Sequence, residues 1–232
     1  MHTERVRVTP VLRELDRREV LAFLREISRG RWRLHERRWD EAARTLVFAP
    51  SDVPRIASRR ELQVLALVAR GASNLEAGYI LGVGDTTVST YANDLARALD
   101  ARPIDLVAFG PLLARLDARS GSMAHLASGE RGPTLQREAD HVVLTYPTPR
   151  AILRTTSTAE LAIARWLADG LSNDAIAALR SAAPRTVANQ IATLYRKLGA
   201  RCRRECTLLL YGGQLASIEL GTLAPLAALR EP

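Results

Sequence analysis

The chain repeats itself, and this constrains its fold more than any other feature. Pro10-VLRELDRR and Pro111-LLARLDAR share proline, an apolar pair, leucine, aspartate and arginine 101 positions apart. Glu41-AARTLVFAP and Glu138-ADHVVLTYP align 97 apart, and the longest blocks, ASRREL…RGASN…TTV…LARALDAR and STAEL…DGLSN…RTV…LYRKLGAR, align 99 apart. Three matches in one order, with small indels between them, require a unit of about 100 residues that folds twice. The chain of 232 residues then divides into a first repeat, 1–110, a second repeat, 111–217, and a C-terminal tail, 218–232.

Within each unit the pattern predicts a leading helix (11–28 and 111–126), a short strand (45–49 and 142–146) and a helical module (58–110 and 157–217). Each strand is an apolar run closed by proline, which lacks the N–H a ladder needs and disfavours helix before it. Residues 120–133, with Gly121, Gly129 and Gly132, read as loop, although 123–126 could extend the helix before it. A two-stranded ribbon is marginal alone, so the two strands are expected to pair with each other or across a dimer. The leading helices carry apolar stripes (Leu12, Leu15, Val20, Leu21, Leu24 and Ile27; Leu112, Leu113 and Leu116) that need a partner in the same chain or a second one. The expected fold class is mainly α, a tandem duplication of a helix, a short strand and four helices.

In the second module, Leu161, Ile163, Ala164, Trp166 and Leu167 give a helical stripe closed by Gly170 as a left-handed cap. Ser172 or Asn173 can cap the next helix, 181–183 is a turn, and Pro184 suits the first turn of a helix running to Leu198 and Gly199. At 100° per residue Val187, Ile191, Leu194 and Leu198 share one face of that helix, and Arg185, Asn189, Ala192 and Arg196 the opposite one. The first module repeats the plan, with Val88, Ala92, Leu95 and Leu99 inward and Thr86, Thr90, Asn93 and Arg97 outward.

This pattern resembles the LuxR/NarL-type helix-turn-helix family of bacterial transcription regulators. The residues that carry the resemblance are Glu160, Gly170-Leu-Ser-Asn, Ile176-Ala, Arg185-Thr-Val and Leu194-Tyr-Arg-Lys-Leu-Gly-Ala-Arg-Cys-Arg-Arg-Glu. The first module offers Glu61, Gly71-Ala-Ser-Asn, Leu81-Gly-Val, Thr87-Val and Leu95-Ala-Arg-Ala-Leu-Asp-Ala-Arg. The resemblance implies a four-helix module whose third helix enters the major groove of duplex DNA and whose fourth often makes a dimer contact. Regulators of this type commonly carry a lysine directly after the Thr-Val pair and a basic residue four positions later. Here those places hold Ala188 and Ala192, and Ser89 and Asn93. The family glycine of the turn is present as Gly82, whereas the second module has Ser181.

Charge separates the modules. The formal excess is +8, but residues 142–210 hold +6 and residues 1–44 hold +4, while 45–110 are −1. Affinity for a duplex comes largely from phosphate neutralisation, so the second module is the expected DNA reader. Arg185 and Asn189 are placed to touch base edges, and Arg196, Lys197, Arg201, Arg203 and Arg204 to hold phosphates. The full candidate set adds Thr186, Gln190 and Thr193, with Thr86, Thr90, Asn93 and Arg97 as a weaker set on the first module. Solvated charges on an exposed helix face would look the same residue by residue.

Other features admit simpler readings. Arg29, Arg31, Arg33, Arg37 and Arg38, interleaved with Trp32 and Trp39, either form an arm along the DNA backbone or pack their tryptophans on a helical module, with the arginines in solvent beside Glu36, Asp40 and Glu41. Cys202 and Cys206 are too few for a disulfide framework or a structural zinc site, and are expected to be buried or idle thiols. The four histidines are scattered, and no phosphate-binding glycine loop, nucleophile elbow or carboxylate cluster is present, so no catalysis, metal or cofactor is expected. The 13 uncharged residues 206–218 are too short for the roughly 20 that cross a bilayer. Glu4, Arg5 and Arg7 stand where a signal peptide would be apolar, so a cytoplasmic, nucleoid-associated protein without membrane contact is expected.

The expected function is transcription regulation by binding double-stranded DNA, with a homodimer as the assembly and RNA polymerase or another regulator as further candidate partners. In this reading the first module reads a second half-site weakly or serves as an assembly surface. The rival is a protein-binding adaptor or anti-regulator that keeps the fold without base reading. Non-specific coating of the nucleoid is a third reading.

Overall fold

A computed structural model describes residues 15–40, 42–117, 132–138 and 140–215. The chain is mainly helical around one small sheet: α1 (Arg17–Ser28), β1 (Trp32–Trp39), β2 (Ala43–Pro50), α2 (Arg59–Ala69), α3 (Asn74–Leu81), α4 (Asp85–Ala98), a 3-10 segment (Pro103–Phe109) and α5 (Gly110–Asp117) come first. The second half supplies β3 (Thr134–Glu138), β4 (His141–Pro147), α6 (Arg150–Thr155), α7 (Thr158–Ala168), α8 (Asn173–Leu179), α9 (Pro184–Leu198) and α10 (Arg203–Leu210).

Helix starts are set by one local device. Asp16, Ser58, Ser73 and Ser157 each accept from the backbone three residues ahead or nearby, and Glu19, Glu61, Glu76 and Glu160 reach back to the capping N–H. Each such box satisfies two backbone donors that would otherwise lack partners. Asp16 therefore starts the leading helix at Arg17, later than the expected residue 11; residues 11–14 lie outside the described ones, as do 118–131, which cover the rest of the second leading helix and most of the expected loop. Gly110 and Pro111, where the repeat begins again, sit inside an uninterrupted helical run from Pro103 to Asp117.

The two expected strands do pair with each other, β2 antiparallel to β4, with Leu46 opposite Leu144 and Val47 opposite Val143. Sequence inspection missed their outer neighbours: the sheet order is β1-β2-β4-β3. β1 escapes a period-two search because its register slips between Leu34 and Glu36, and because Arg33, Arg37 and Arg38 make it look like a charged connector.

The described residues form two apolar cores. The larger joins α1, the sheet and α2 to α5 around Phe23, Phe48 and Phe109, whose rings lie 5.4 to 6.4 Å apart. The smaller is built from Ile163, Leu167, Ile176, Val187, Leu194 and Leu210 of the second module. Each large side chain so buried contributes about 1.5–3 kcal/mol. The second module thus has its own core, and its Leu208 and Tyr211 are buried in the larger one, so the two halves meet through apolar as well as polar contacts. Among the described residues no helix is long and apolar enough to cross a membrane.

Candidate nucleic-acid interface

α9 presents one face to solvent and buries the other. Pro184 is the first of its 15 residues, with φ preset for a helix, and Gly199, in the left-handed conformation at φ 71°, closes it. Val187, Ile191 and Leu194 are buried, while Arg185, Thr186, Asn189, Thr193, Arg196 and Lys197 are exposed. Gln190 is half-buried, and its Oε1 accepts from Arg180 Nη1 at 2.9 Å, which ties the last residue of α8's turn to α9. Arg196 Nη2 lies 3.3 Å from Thr193 Oγ1 and keeps most of its donors for solvent.

Lys197 is not free. Its Nζ lies 2.8 and 3.1 Å from the two oxygens of Glu160 at the start of α7. That lysine, with the Ser157 N–H, holds the Glu160 carboxyl down to about 2. The pair also ties the C-terminal end of α9 to the start of α7.

The three arginines after α9 have different fates. Arg201 is exposed but clamped between Glu205 and Glu76, with Nη1 3.0 Å from Glu76 Oε1; these carboxylates raise its pKa further. Arg203 donates to the Leu171 and Leu167 carbonyls at 2.5 and 3.4 Å. Arg204 reaches into the first module, donating to Ala72 O and Asn74 Oδ1, both at 2.7 Å, and burial presses its pKa down. The structure therefore gathers Arg185, Thr186, Asn189, Thr193, Arg196 and Lys197 on one surface and places Arg203 and Arg204 in the packing between and within modules. Nothing local in the sequence marks that division, because the acceptors of Arg204 stand 130 and 132 positions away.

The first module presents α4 in the same way, with Thr86, Thr90, Asn93 and Arg97 exposed over buried Val88, Ala92 and Leu95. Its polar groups are internally occupied: Thr90 Oγ1 donates to Thr86 O at 3.0 Å, Asn93 Nδ2 to Ser89 Oγ at 3.4 Å, and Arg97 Nη1 to Asp94 Oδ1 at 2.8 Å. On α3 of this module Leu75 and Tyr79 are 74% and 91% exposed. Asp174 and Ala178 hold the equivalent places on α8.

The tryptophans of β1 pack, as one of the two readings expected. Trp39 Nε1 lies 3.3 Å from Asp169 Oδ1 at the end of α7, and Trp32 Nε1 donates to Glu26 at 2.7 Å. The arginines are not simply in solvent: Arg37 pairs with Asp105 at 2.9 Å and Arg33 with Asp52 at 3.1 Å. His35 and His141, far apart in sequence, come to 6.0 Å between ring centroids, with no third ligand grouped beside them among the described residues. Cys206 is buried and its thiol is pushed up to about 12, whereas Cys202 is half-buried.

Comparison with known proteins agrees with the helical plan. No curated protein and no solved structure matches the chain. The family model described as bacterial regulatory proteins, luxR family, matches residues 56–104, which span α2 to α4, and residues 155–210, which span α7 to α10. Both helix-turn-helix modules of this chain are thus similar to the luxR family of bacterial regulatory proteins.

Proposed function

We propose that the protein is a transcription regulator that lays α9 in the major groove of duplex DNA. The observation that carries this reading is the exposed stripe Arg185, Asn189 and Arg196 on a helix begun by Pro184 and closed by Gly199, in a segment with no acidic residue from Pro184 to Gly199. In this reading Arg185 and Asn189 touch base edges, since their planar side chains match guanine and adenine, and Arg196 and Lys197 hold phosphates. Arg201 sits at the rim, and Arg203 and Arg204 act indirectly by setting the module's pose.

A salt titration of binding to sheared genomic duplex tests it. Neutralised phosphates release counterions, so log affinity should fall against log salt with a slope of about −3 or steeper for three or more contacts. A flat response would remove the proposal.

The exposed Leu75 and Tyr79 favour a second role for the first module, as an assembly surface for a protein partner. Retention of an RNA polymerase component or another regulator on the immobilised chain, lost in Leu75→Ser with Tyr79→Ser, would support it. Retention without any duplex binding would favour the adaptor reading over the regulator.

A further inference from the structure

The modules meet by exchanging equivalent parts. Gly71 and Gly170, 99 positions apart, both adopt the left-handed conformation after α2 and α7, at φ 94° and 75°. A Cβ on Gly170 would lie 3.2 Å from Ile104 Cγ2 and 3.7 Å from Arg102 Cδ, so the segment following the first module's recognition helix is seated on the second module's glycine. A Cβ on Gly71 would lie 3.1 Å from Glu205 Cγ and 3.6 Å from Leu208 Cδ2, so the reverse also holds. Polar contacts also cross in both directions, between positions that are not equivalent: Arg102 donates to the Asp169 carbonyl, and Arg204 to the Ala72 carbonyl.

The sheet obeys the same exchange. In the 97-position alignment of the strands, Leu46 corresponds to Val143 and Val47 to Leu144. In the register, Leu46 faces Leu144 and Val47 faces Val143. Each residue pairs with the equivalent of its neighbour, which maps the pairing onto itself.

Reciprocal contact of this kind is the signature of a two-fold, isologous interface between subunits. Here it is closed within one chain. From it we infer that a single chain is the complete DNA-binding unit, one that takes a duplex carrying two half-sites of different sequence at a fixed spacing. This rests on the reading of α9 given above. The exchange sets α4 and α9 in equivalent positions about the interface, and both stripes are exposed. The stripes are unlike, with Arg185, Asn189 and Arg196 on one and Thr86, Thr90 and Asn93 beside a paired Arg97 on the other, so the two boxes differ in sequence and in strength. The modules are packed tightly at Gly110, where a Cβ would lie 2.2 Å from Ala69 O and 2.7 Å from Leu208 Cδ1. The homodimer expected from the family is replaced by one polypeptide.

The experiment is selection of bound duplexes from a random library with the full chain, followed by mass measurement of the complex. The expected result is one chain per duplex, on a site with a strong and a weak box and no palindrome. Thr86→Ala with Thr90→Ala and Asn93→Ala, all surface changes, should lower affinity for the selected duplex about tenfold, the worth of a base contact, and lose nothing further when the weak box is randomised. Inserting about five base pairs between the boxes turns the second half-site to the far side of the duplex and should cost a similar factor. Two chains on a palindrome, a single box, or indifference to the insertion would overturn the inference while leaving α9 as the reader. Failure to enrich any duplex would overturn both.

Discussion

Arg44 Nη1 lies 2.5 Å from Asp169 Oδ1, which joins the centre of the sheet to the C-terminal cap of α7. The arginine is 1% exposed, its guanidinium stacks 4.8 Å from the Trp39 ring, and its Nη2 is 3.9 Å from Asp105 Oδ1. Among the described residues Nε and Nη2 have no hydrogen-bond partner, so Asp169 carries most of the compensation for burying that charge.

Asp169→Ala should therefore cost about 3 kcal/mol in chemical denaturation, because it strands a buried cation. Adding Arg44→Met to it should restore part of the loss, since an apolar side chain of similar volume needs no partner. A double variant as unstable as the sum of the singles would show that the pair is not coupled.

Ser181 occupies the turn between α8 and α9 at φ 50°, where the first module has Gly82 at φ 65°. An L side chain in that region costs roughly 1–2 kcal/mol, so Ser181→Gly should raise stability by about 1 kcal/mol. Gly82→Ser should lower it similarly, and through the backbone alone, because a Cβ at Gly82 meets nothing within 4 Å. Thermal melts of both variants check this.

How far the sequence reached follows the range of the interactions involved. The left-handed Gly170 just after α7, Ser172, Pro184 and the inward set Val187, Ile191 and Leu194 are local choices, and periodicity exposes them. The pairing of the two inner strands follows from their shared apolar run. β1 was hidden by its bulge, and the division of Arg201, Arg203 and Arg204 between surface and packing depends on Glu76, Ala72 and Leu171, which only the folded chain brings near. The exposed stripe of α9 was legible; the restraint of Lys197 by Glu160, 37 positions earlier, was not.

That restraint has a pH signature. Glu160 titrates at about 2 in the folded protein against a usual 4.5, so the stabilisation it gives is complete above the unfolded value and is lost as pH falls through about 2. Carboxyl NMR should find Glu160 charged at pH 3.5, and Lys197→Ala should bring its midpoint back up towards the usual range. Glu160→Gln should release Lys197 and tighten duplex binding modestly. A Glu160 midpoint unmoved by Lys197→Ala would contradict the pairing.

The thiols should react unequally. Cys206 is buried with its pKa pushed up to about 12, which leaves little nucleophilic thiolate at neutral pH. A thiol-exchange reagent should modify Cys202 alone in the native protein and both cysteines in denaturant. Equal native rates would mean that α10 opens readily.

The central claim is that the outward stripe of α9 reads the duplex, and Arg185→Ala with Asn189→Ala addresses it most directly. Both side chains are exposed, so the variant should keep the wild-type circular dichroism and melting temperature. Its equilibrium affinity for a selected duplex, measured at fixed salt, should fall at least about thirtyfold, as expected for two lost base contacts. An affinity within about twofold of the wild type would contradict the claim, since a single base contact is worth more than that.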